Sequence, residues 1–305
     1  MTRDNPSNVA ASVRQRLLNI IRNTGDNPNL VWTRYAMERL LYRLSVSEYA
    51  DDFVLKGAML FTAWTGNLYR PTADMDFLVH GEDSSDYLVD VFRNVCNIKV
   101  DHDGLLFDTD TVKVSPIREG QQYQGQRITL VAFLGKARIP IQIDVGYGDI
   151  VTPKASKIKY PALLDFPAPS VWTYPRDTVV AEKLQAMVML GIANSRMKDF
   201  YDLYVMARDF DFDGATLAQA IEATFNRRKT EIPTDTPLAL TDEFGSDDVK
   251  SALWKAFIRN SGLGDVPALP EILTYLRSFL LPMLQAARKG AACPGNWKDG
   301  GPWHA

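Results

Sequence analysis

The chain has 305 residues, 46% of them hydrophobic and 23% charged, which is typical of a globular protein with one large or two ordinary domains and excludes a disordered or fibrous chain. Its formal net charge of -3 excludes the overall basic field of sequence-independent nucleic-acid binding, so any contact with nucleic acid must use a local basic patch. Two cysteines and three histidines argue against a disulfide framework and a zinc site, and the polar start and absence of a long apolar run predict a cytoplasmic protein without a membrane span.

The first half of the chain is predicted to combine helices and strands. Apolar spacing and turn residues give, in order, helices at 8–22 and 32–44, a strand at 53–55, a helix at 57–64, a strand at 72–80 and a helix at 85–94. From Thr111 the pattern becomes that of strands, in the runs VKVSPI, RITLVAFLG and ARIPIQIDVGYG. In the last run isoleucines 139, 141 and 143 share one face, so Gln142 and Asp144 lie on the other.

The second half of the chain is predicted to be helical after a proline-rich connection. Five prolines lie between Asp149 and Arg176. The predicted helices cover residues 177–190, 195–208, 216–227, 246–259 and 270–287. We therefore expect an α+β protein with three parts: a mixed-sheet core with N-terminal helices at 1–160, a C-terminal helical lobe at 161–289 and a flexible tail at 290–305.

Asp74 and Asp76, in the run TADMDFLV, are the strongest candidates for a chemical role. Residues two apart on a strand point to the same face, so these two carboxylates can bind one divalent cation together. Mg²⁺ prefers oxygen ligands, uses one or two carboxylates, and takes its other ligands from water and phosphate groups. Asp144 would join them if the strands share a sheet, giving a metal site suited to nucleotidyl or phosphoryl transfer. Capping of the turn at Gly146 is the alternative role for Asp144.

Lys56, Gly57 and Ala58 are predicted to form a strand-to-helix turn. Glycine lets a backbone approach closely, and a helix N-terminus offers N–H groups and a positive dipole end to a phosphate. A plain glycine turn with a solvated lysine is an equally good interpretation. Arg70 and Thr72 lie between this turn and the paired carboxylates, which makes both of them candidates for nucleotide binding.

Lys183 and Asp199 form a second candidate pair. Lys183 lies on an apolar stripe of its predicted helix, where a lysine must either extend to water or meet an anion. Asp199 on the next helix is the candidate anion, and Arg196 precedes it by about one turn. The pair either takes part in the chemistry or merely neutralises its two charges between helices. Asp202 is interpreted as a surface partner of Lys198, one turn away.

These segments together resemble the AbiEii/AbiGii family of nucleotidyltransferase toxins, which includes the MenT toxins. The similar segments are LKGAMLFTAW, the R-x-T-x-D-x-D pattern from Arg70 to Asp76, IQIDVG, YPRDTVVAEKLQAMV and NSRMKDFYDLY, and they run from about Val54 to Met206. The resemblance implies a nucleotidyltransferase core followed by a helical lobe. It also implies a toxin of a toxin–antitoxin or phage-defence operon that uses Mg²⁺ and a nucleoside triphosphate to modify RNA.

The resemblance also implies roles for individual residues. Asp74 and Asp76 would be the metal-binding pair, for Mg²⁺ or alternatively Mn²⁺, Lys183 would bind the triphosphate, and Asp199 would act as a base or orient Lys183. The residues expected to bind nucleotide are Lys56, Gly57, Ala58, Arg70, Thr72, Lys183 and Arg196. The wider superfamily has Gly-Ser where this chain has Gly57-Ala58, so phosphate binding would depend on backbone N–H groups and Lys56.

The expected reaction is nucleotide transfer to an RNA 3′-hydroxyl, with the tRNA acceptor end as the expected acceptor and a cognate antitoxin as partner. The alternatives are transfer to a protein hydroxyl, phosphoryl transfer, or a non-catalytic binding module. The basic residues considered for RNA contact are Lys154, Lys157, Lys159, Arg196, Lys198, Arg227, Arg228 and Lys229. For several of these a solvated loop or a favourable charge at a helix C-terminus is the alternative.

Overall fold

The computed structural model describes residues 6–66, 69–117, 125–288 and 293–304, and describes side chains from residue 9 onward. The chain divides into two compact units. The first contains Met1–Gly148 and Ser156–Thr173, and the second contains Asp149–Ala155 and Tyr174–Ala305. The first unit thus includes residues 161–173, which the sequence assigned to the helical lobe.

The first unit contains four helices and seven strands in its described residues. They are α1 (Pro6–Thr24), α2 (Pro28–Ser45), β1 (Phe53–Lys56), α3 (Met59–Thr65), β2 (Asp74–Val79), α4 (Ser85–Asn97), β3 (Leu105–Ile117), β4 (Gly125–Leu134), β5 (Ala137–Tyr147), β6 (Ser156–Lys159) and β7 (Ser170–Thr173).

The strands form one mixed sheet in the order β3-β4-β5-β2-β1-β7-β6. Strand β2 is parallel to β5, and β1 is parallel to β7, whereas the other neighbours are antiparallel. Met75, Phe77 and Val79 of β2 are buried, and β2 alternates, so Asp74 and Asp76 point to the opposite face. The sheet therefore has one apolar face and one face that carries carboxylates.

Helices α2 and α4 pack on the apolar face of this sheet. Phe53 contacts Phe77 and Phe92 edge to face, with ring centroids 5.5 and 5.8 Å apart, so β1, β2 and α4 share one core. Each helix begins at a polar cap: Asn27 accepts a hydrogen bond from the Asn29 N–H, and Ser84 accepts one from the Tyr87 N–H. The helical lead-in is thus an integral layer of the first unit.

A buried ionic network joins α2 to two loops of the first unit. Arg43 donates to both carboxylate oxygens of Asp103, at 2.6 and 3.2 Å. Arg39 donates twice to the Pro167 carbonyl, at 2.9 and 3.0 Å, and Glu38 accepts from the Leu163 N–H at 2.6 Å. Buried charges are tolerated only when paired and hydrogen-bonded in this way, so the network fixes both loops against α2.

The second unit is mainly helical. Its described elements are α5 (Arg176–Leu190), α6 (Met197–Asp209), β8 (Phe212–Asp213), α7 (Gly214–Arg227), α8 (Asp242–Ser246), α9 (Asp248–Ser261), α10 (Leu269–Ala286), β9 (Asn296–Trp297) and β10 (Trp303–His304). Strand β9 pairs with both β10 and β8 in a small antiparallel sheet.

The prediction of a flexible tail at 290–305 is wrong for residues 293–304. Trp297 is buried, packs on Phe279 at 4.9 Å between ring centroids, and donates from Nε1 to the Ala207 carbonyl at 2.5 Å. Trp303 stacks on Phe279 and donates to its carbonyl at 3.0 Å. Two buried or half-buried indoles anchor a segment whose glycine and proline content alone indicated disorder.

The α+β class is confirmed, and each predicted helix and long strand is present with shifted ends. Helix α3 begins at Met59 rather than at residue 57 because Gly57 has a φ of +74°, outside the helical region. Strand β3 begins at Leu105, before the predicted run, and its pairing with β4 shifts between Asp108 and Lys113. Strands β6 and β7 were missed because four-residue strands among prolines have no local pattern.

Within the described residues, no helix combines the length and apolar character needed to cross a bilayer.

Glu38 gives a pH-dependent prediction for stability. Burial raises the pKa of Glu38 from 4.5 to about 7. A carboxyl whose pKa is higher in the folded state stabilises the fold fully below pH 4.5, and this stabilisation is lost as the pH rises to about 7. Glu38→Gln, which stays neutral, is expected to remove a pH dependence of about 3 kcal/mol in the free energy of unfolding.

Urea unfolding at a series of pH values across this range measures the effect, as the difference between variant and wild type. Glu48→Gln, at an exposed position after α2, is the control and should follow the wild-type profile. Parallel profiles for wild type and Glu38→Gln would contradict the prediction.

Candidate active site

Four charged side chains form one row across the carboxylate face of the sheet. Lys56 of β1 pairs with Asp76 of β2, Asp76 pairs with Asp144 of β5, and Asp144 pairs with Arg127 of β4. Directly paired residues point to the same face, so the register places two carboxylates between two cations. The prediction that Asp144 faces the same side as Asp76 is confirmed by this pairing.

The three predicted carboxylates come together at the start of β2. Oxygen atoms of Asp74, Asp76 and Asp144 lie within 4.8 Å of one another, and all three side chains are half-buried. Thr72 donates its hydroxyl to an Asp74 oxygen at 2.5 Å, which orients that carboxylate. Three hard oxygen donors at this spacing suit a divalent cation of the Mg²⁺ or Mn²⁺ type.

Gly57 makes room for the Asp76 carboxylate. A Cβ at position 57 would lie 1.9 Å from Asp76 Oδ2, closer than any real contact, and the positive φ of Gly57 also disfavours a side chain. On the same face, a Cβ at Gly146 would lie 3.2 Å from Lys56 Nζ. Lys56 thus extends along the sheet toward β5, beside the carboxylates. The glycine of the predicted turn therefore has a steric role that the sequence did not indicate.

Ala58 and Arg70, the other residues predicted to bind phosphate near β2, lie before and after α3. Ala58 is the N-cap of α3, and its methyl side chain offers no hydrogen bond. The helix has seven residues, one fewer than the predicted 57–64. Arg70 precedes β2 and is half-buried, with its Nη1 3.4 Å from the Pro71 carbonyl. A nucleotide role for Ala58 and Arg70 stays a prediction.

A cleft of about 560 Å³ lies on the first unit, beside the part of β5 that precedes Gln142. Asp74, Gln142, Thr129 and Lys113 form a second cross-strand row, from β2 to β3, that leads into this cleft. Lys113 and Arg138 line the cleft and are exposed. Asp110 is an acidic residue of the lining. The cleft thus begins next to the metal-binding pair and carries two cations.

The second unit holds the other predicted pair. Lys183 Nζ lies 2.6 Å from Asp199 Oδ1 and 2.9 Å from Asp202 Oδ2, and both carboxylates are almost fully buried. Arg196 Nε lies 2.6 Å from Asp199 Oδ2. The interpretation of Asp202 as a surface partner of Lys198 is wrong, because α6 turns Asp202 inward toward α5. The cluster contains two cations and two carboxylates.

Two further basic residues considered for RNA contact form ion pairs within the protein. Lys157 lies 3.3 Å from Asp51 and over the Trp172 ring. Arg228 is largely buried and contacts Asp149 at 3.0 Å and Glu182 at 3.3 Å. These contacts support the structural alternative for Arg228.

Arg127 is the residue that the sequence reasoning missed. Its Nε and Nη2 donate to the two oxygens of Asp144 at 2.8 and 2.7 Å, a bidentate pair. The sequence does allow its position to be predicted. In a hairpin that closes with Leu134 opposite Ala137, the residue numbers of each opposite pair have the same sum. Residue 127 therefore lies opposite residue 144. The turn residues Gly135 and Lys136 are typical of such a two-residue hairpin.

The fold is similar to that of a nucleotidyltransferase toxin. MenT4, a nucleotidyltransferase toxin from Mycobacterium tuberculosis H37Rv, has a similar structure with a TM-score of 0.52 at 16% identity, over 92% of this chain and 99% of that chain. JHP933 from Helicobacter pylori aligns with a TM-score of 0.42 at 12% identity, over 83% and 93% of the two chains. At such identities the likeness to MenT4 shows the fold alone.

The sequence pattern of the family described as "Nucleotidyl transferase AbiEii toxin, Type IV TA system" matches residues 39–278, so the chain belongs to this family. The resemblance inferred from the motifs is confirmed. The protein is a nucleotidyltransferase toxin of a type IV toxin–antitoxin system, with a nucleoside triphosphate as substrate and an antitoxin as the partner that the system implies. No curated protein sequence matches the chain.

Gly57 gives a test of the metal site. Gly57→Ala places a methyl group on Asp76 and is expected to weaken Mn²⁺ binding at least tenfold, measured by isothermal titration calorimetry with Mn²⁺ alone. Gly66→Ala is the matched control, because Gly66 has a φ of +76° and its Cβ would meet nothing within 4 Å. Both variants carry the same backbone cost of about 1–2 kcal/mol, but only the first disturbs a carboxylate. Equal Mn²⁺ affinities in the two variants would contradict the assignment.

Proposed function

We propose that the protein transfers nucleotides from a nucleoside triphosphate to the 3′ end of an RNA, the tRNA acceptor end, and so blocks translation. The observation that carries this proposal is the group of Asp74, Asp76 and Asp144 within 4.8 Å, in which Asp76 and Asp144 are flanked in one row by Lys56 and Arg127. Nucleotidyl transfer needs charge neutralisation around a triphosphate and a carboxylate near the attacking hydroxyl, and this arrangement supplies both. Its substrates place the reaction in the cytoplasm.

Asp74 and Asp76 would hold Mg²⁺, with Mn²⁺ as an alternative, and Asp144 completes the donor set. When bound, the ion supplies positive charge to the triphosphate and the leaving pyrophosphate. Lys56 adds a cation beside Asp76, and Gly57 keeps the space that the Asp76 carboxylate needs. The chain's own contribution is thus to fix charges of both signs at defined positions before substrate arrives.

Lys183 and Asp199 are proposed as the remaining catalytic residues, with Lys183 binding the triphosphate. The buried ion pairs of Asp199 with Lys183 and Arg196 support an orienting role for Asp199 rather than that of a base, because both of its oxygens already face cations. Asp202 contacts the same lysine and is a second orienting residue. Pure charge neutralisation inside the second unit is the alternative for this cluster.

The cleft beside β5 is proposed to receive the RNA 3′ end. In transfer to phosphorus, the attacking and leaving oxygens are roughly in line. The Nζ of Lys56 lies near Gly146, toward the end of β5, whereas the cleft lies beside the part of β5 that precedes Gln142. A triphosphate tail directed toward Lys56 Nζ therefore leaves the cleft end of β5 for the attacking hydroxyl. On that side the second row ends at Lys113, three strands and about 14 Å from Asp74, where it can meet an RNA phosphate.

Substitution of the metal-binding pair tests the reaction. Asp76→Asn keeps the shape of the side chain but removes its charge, and is expected to lower incorporation from an α-³²P-labelled triphosphate into RNA by about 100-fold or more. The assay uses purified protein, total tRNA and Mg²⁺, and Asp90→Asn at an exposed position of α4 is the control. Label entering from the γ-phosphate would favour phosphoryl transfer, and label in protein would favour a protein acceptor. An unchanged rate in Asp76→Asn would contradict the assignment of Asp76, and absence of incorporation by the wild type would support the non-catalytic alternative.

Reversal of charge in the cleft tests the acceptor site. Lys113→Glu combined with Arg138→Glu is expected to raise the Kd for a fluorescein-labelled tRNA at least tenfold in fluorescence anisotropy, because two phosphate contacts become repulsive. The affinity for nucleoside triphosphate should stay unchanged. Lys136→Glu, at the exposed turn between β4 and β5, is the matched control. An RNA affinity equal to that of the control would exclude this cleft as the acceptor site.

A further inference from the structure

Arg127 forms an ion pair with Asp144, the third carboxylate of the site. The guanidinium binds both oxygens of Asp144 at 2.7–2.8 Å, and the Asp144 side chain is more buried than the arginine. Bidentate arginine–carboxylate pairs are among the strongest hydrogen-bonded ion pairs in proteins. The partly exposed guanidinium therefore lies on the carboxylate face of the sheet. It binds the carboxylate that the divalent cation would also bind.

A guanidinium and a divalent cation on one carboxylate repel each other. Arg127 also satisfies Asp144 by itself, so the carboxylate has less to gain from a metal ion. With Arg127 in place, the strongest attraction for a cation comes from Asp74 and Asp76. The register of β4 on β5 thus places a competitor for the metal inside the site.

Arginine has a second suitable partner in the proposed reaction. Its planar fork matches a phosphate as well as a carboxylate, and phosphate groups carry more charge. In the amide orientation that satisfies hydrogen bonding, the Gln142 oxygen lies 3.3 Å from the Nε and Nη2 atoms of Arg127, the same atoms that bind Asp144, so the guanidinium already shares these donors with a second acceptor. A triphosphate at the site would offer such a partner.

We propose that Arg127 is a positioning residue that competes with the divalent cation for Asp144 and exchanges this carboxylate for a phosphate of the nucleotide when both bind. This inference rests on the proposed function for the identity of the nucleotide and of the metal site. Its consequence is coupling: the metal binds weakly to the free protein and tightly in the presence of the triphosphate.

The test measures Mn²⁺ affinity by isothermal titration calorimetry, with and without a triphosphate that has a non-hydrolysable α,β-methylene linkage. Arg127→Gln is expected to bind Mn²⁺ alone about tenfold more tightly than wild type, and to lose most of the increase in affinity that the nucleotide produces. Arg127→Lys, which keeps the charge but not the fork, should lie between the two. Arg93→Gln, at an exposed position of α4, is the control and should match wild type.

A double-mutant cycle identifies Asp144 as the contested ligand. Asp144→Asn should remove the gain of Arg127→Gln, so the two changes are strongly non-additive. A merely structural role for Arg127 would lower Mn²⁺ affinity in both arginine variants, and that result overturns the proposal, as does an unchanged affinity. Because these titrations need no acceptor, an unchanged affinity in a protein that still labels RNA overturns this inference alone. Absence of Mn²⁺ and nucleotide binding in wild type overturns the proposed function as well.

Discussion

The register of the mixed sheet is the constraint on which the candidate active site depends. Backbone hydrogen bonds between β2 and β5 align Asp76 with Asp144, and those between β4 and β5 align Asp144 with Arg127. A shift of one residue in any pair would turn a charged side chain into the apolar core. The isoleucines of β5 and the aromatic contacts of Phe53 exclude such a shift, because they must stay under α2 and α4. The apolar face of the sheet thus fixes the chemistry of the other face.

The first unit combines opposite charges in two different ways. Under α2 the charges of Glu38, Arg39, Arg43 and Asp103 are buried and satisfied by each other and by backbone groups, which secures loops. On the open face, the row of Lys56, Asp76, Asp144 and Arg127 is only partly buried, and its carboxylates keep lone pairs for a ligand. The difference in burial separates a structural network from one that can exchange partners.

In the second unit, Lys183 both neutralises buried carboxylates and is the residue proposed to bind the triphosphate. Lys183 neutralises two carboxylates that are almost fully buried, so its loss would remove a cation from both of them and cost about 3–5 kcal/mol. Arg196 contacts one of these carboxylates from a more exposed position. A loss of activity in a Lys183 variant therefore has to be separated from unfolding, whereas the Arg127 and Gly57 variants act at the half-buried face of the sheet.

The sequence by itself determined those features of the protein that depend on residues close together in the chain. Alternation along β2 and β5 established that Asp74 and Asp76 share a face and that Asp144 lies opposite the isoleucines, and the hairpin turn at Gly135 contained enough information to find Arg127. Only the tertiary structure decided that β2 lies beside β5, that Asp202 turns toward Lys183, and that Trp297 anchors the end of the chain. Each of these depends on backbone pairing or apolar burial between distant segments, and local periodicity contains no information about which distant segments meet.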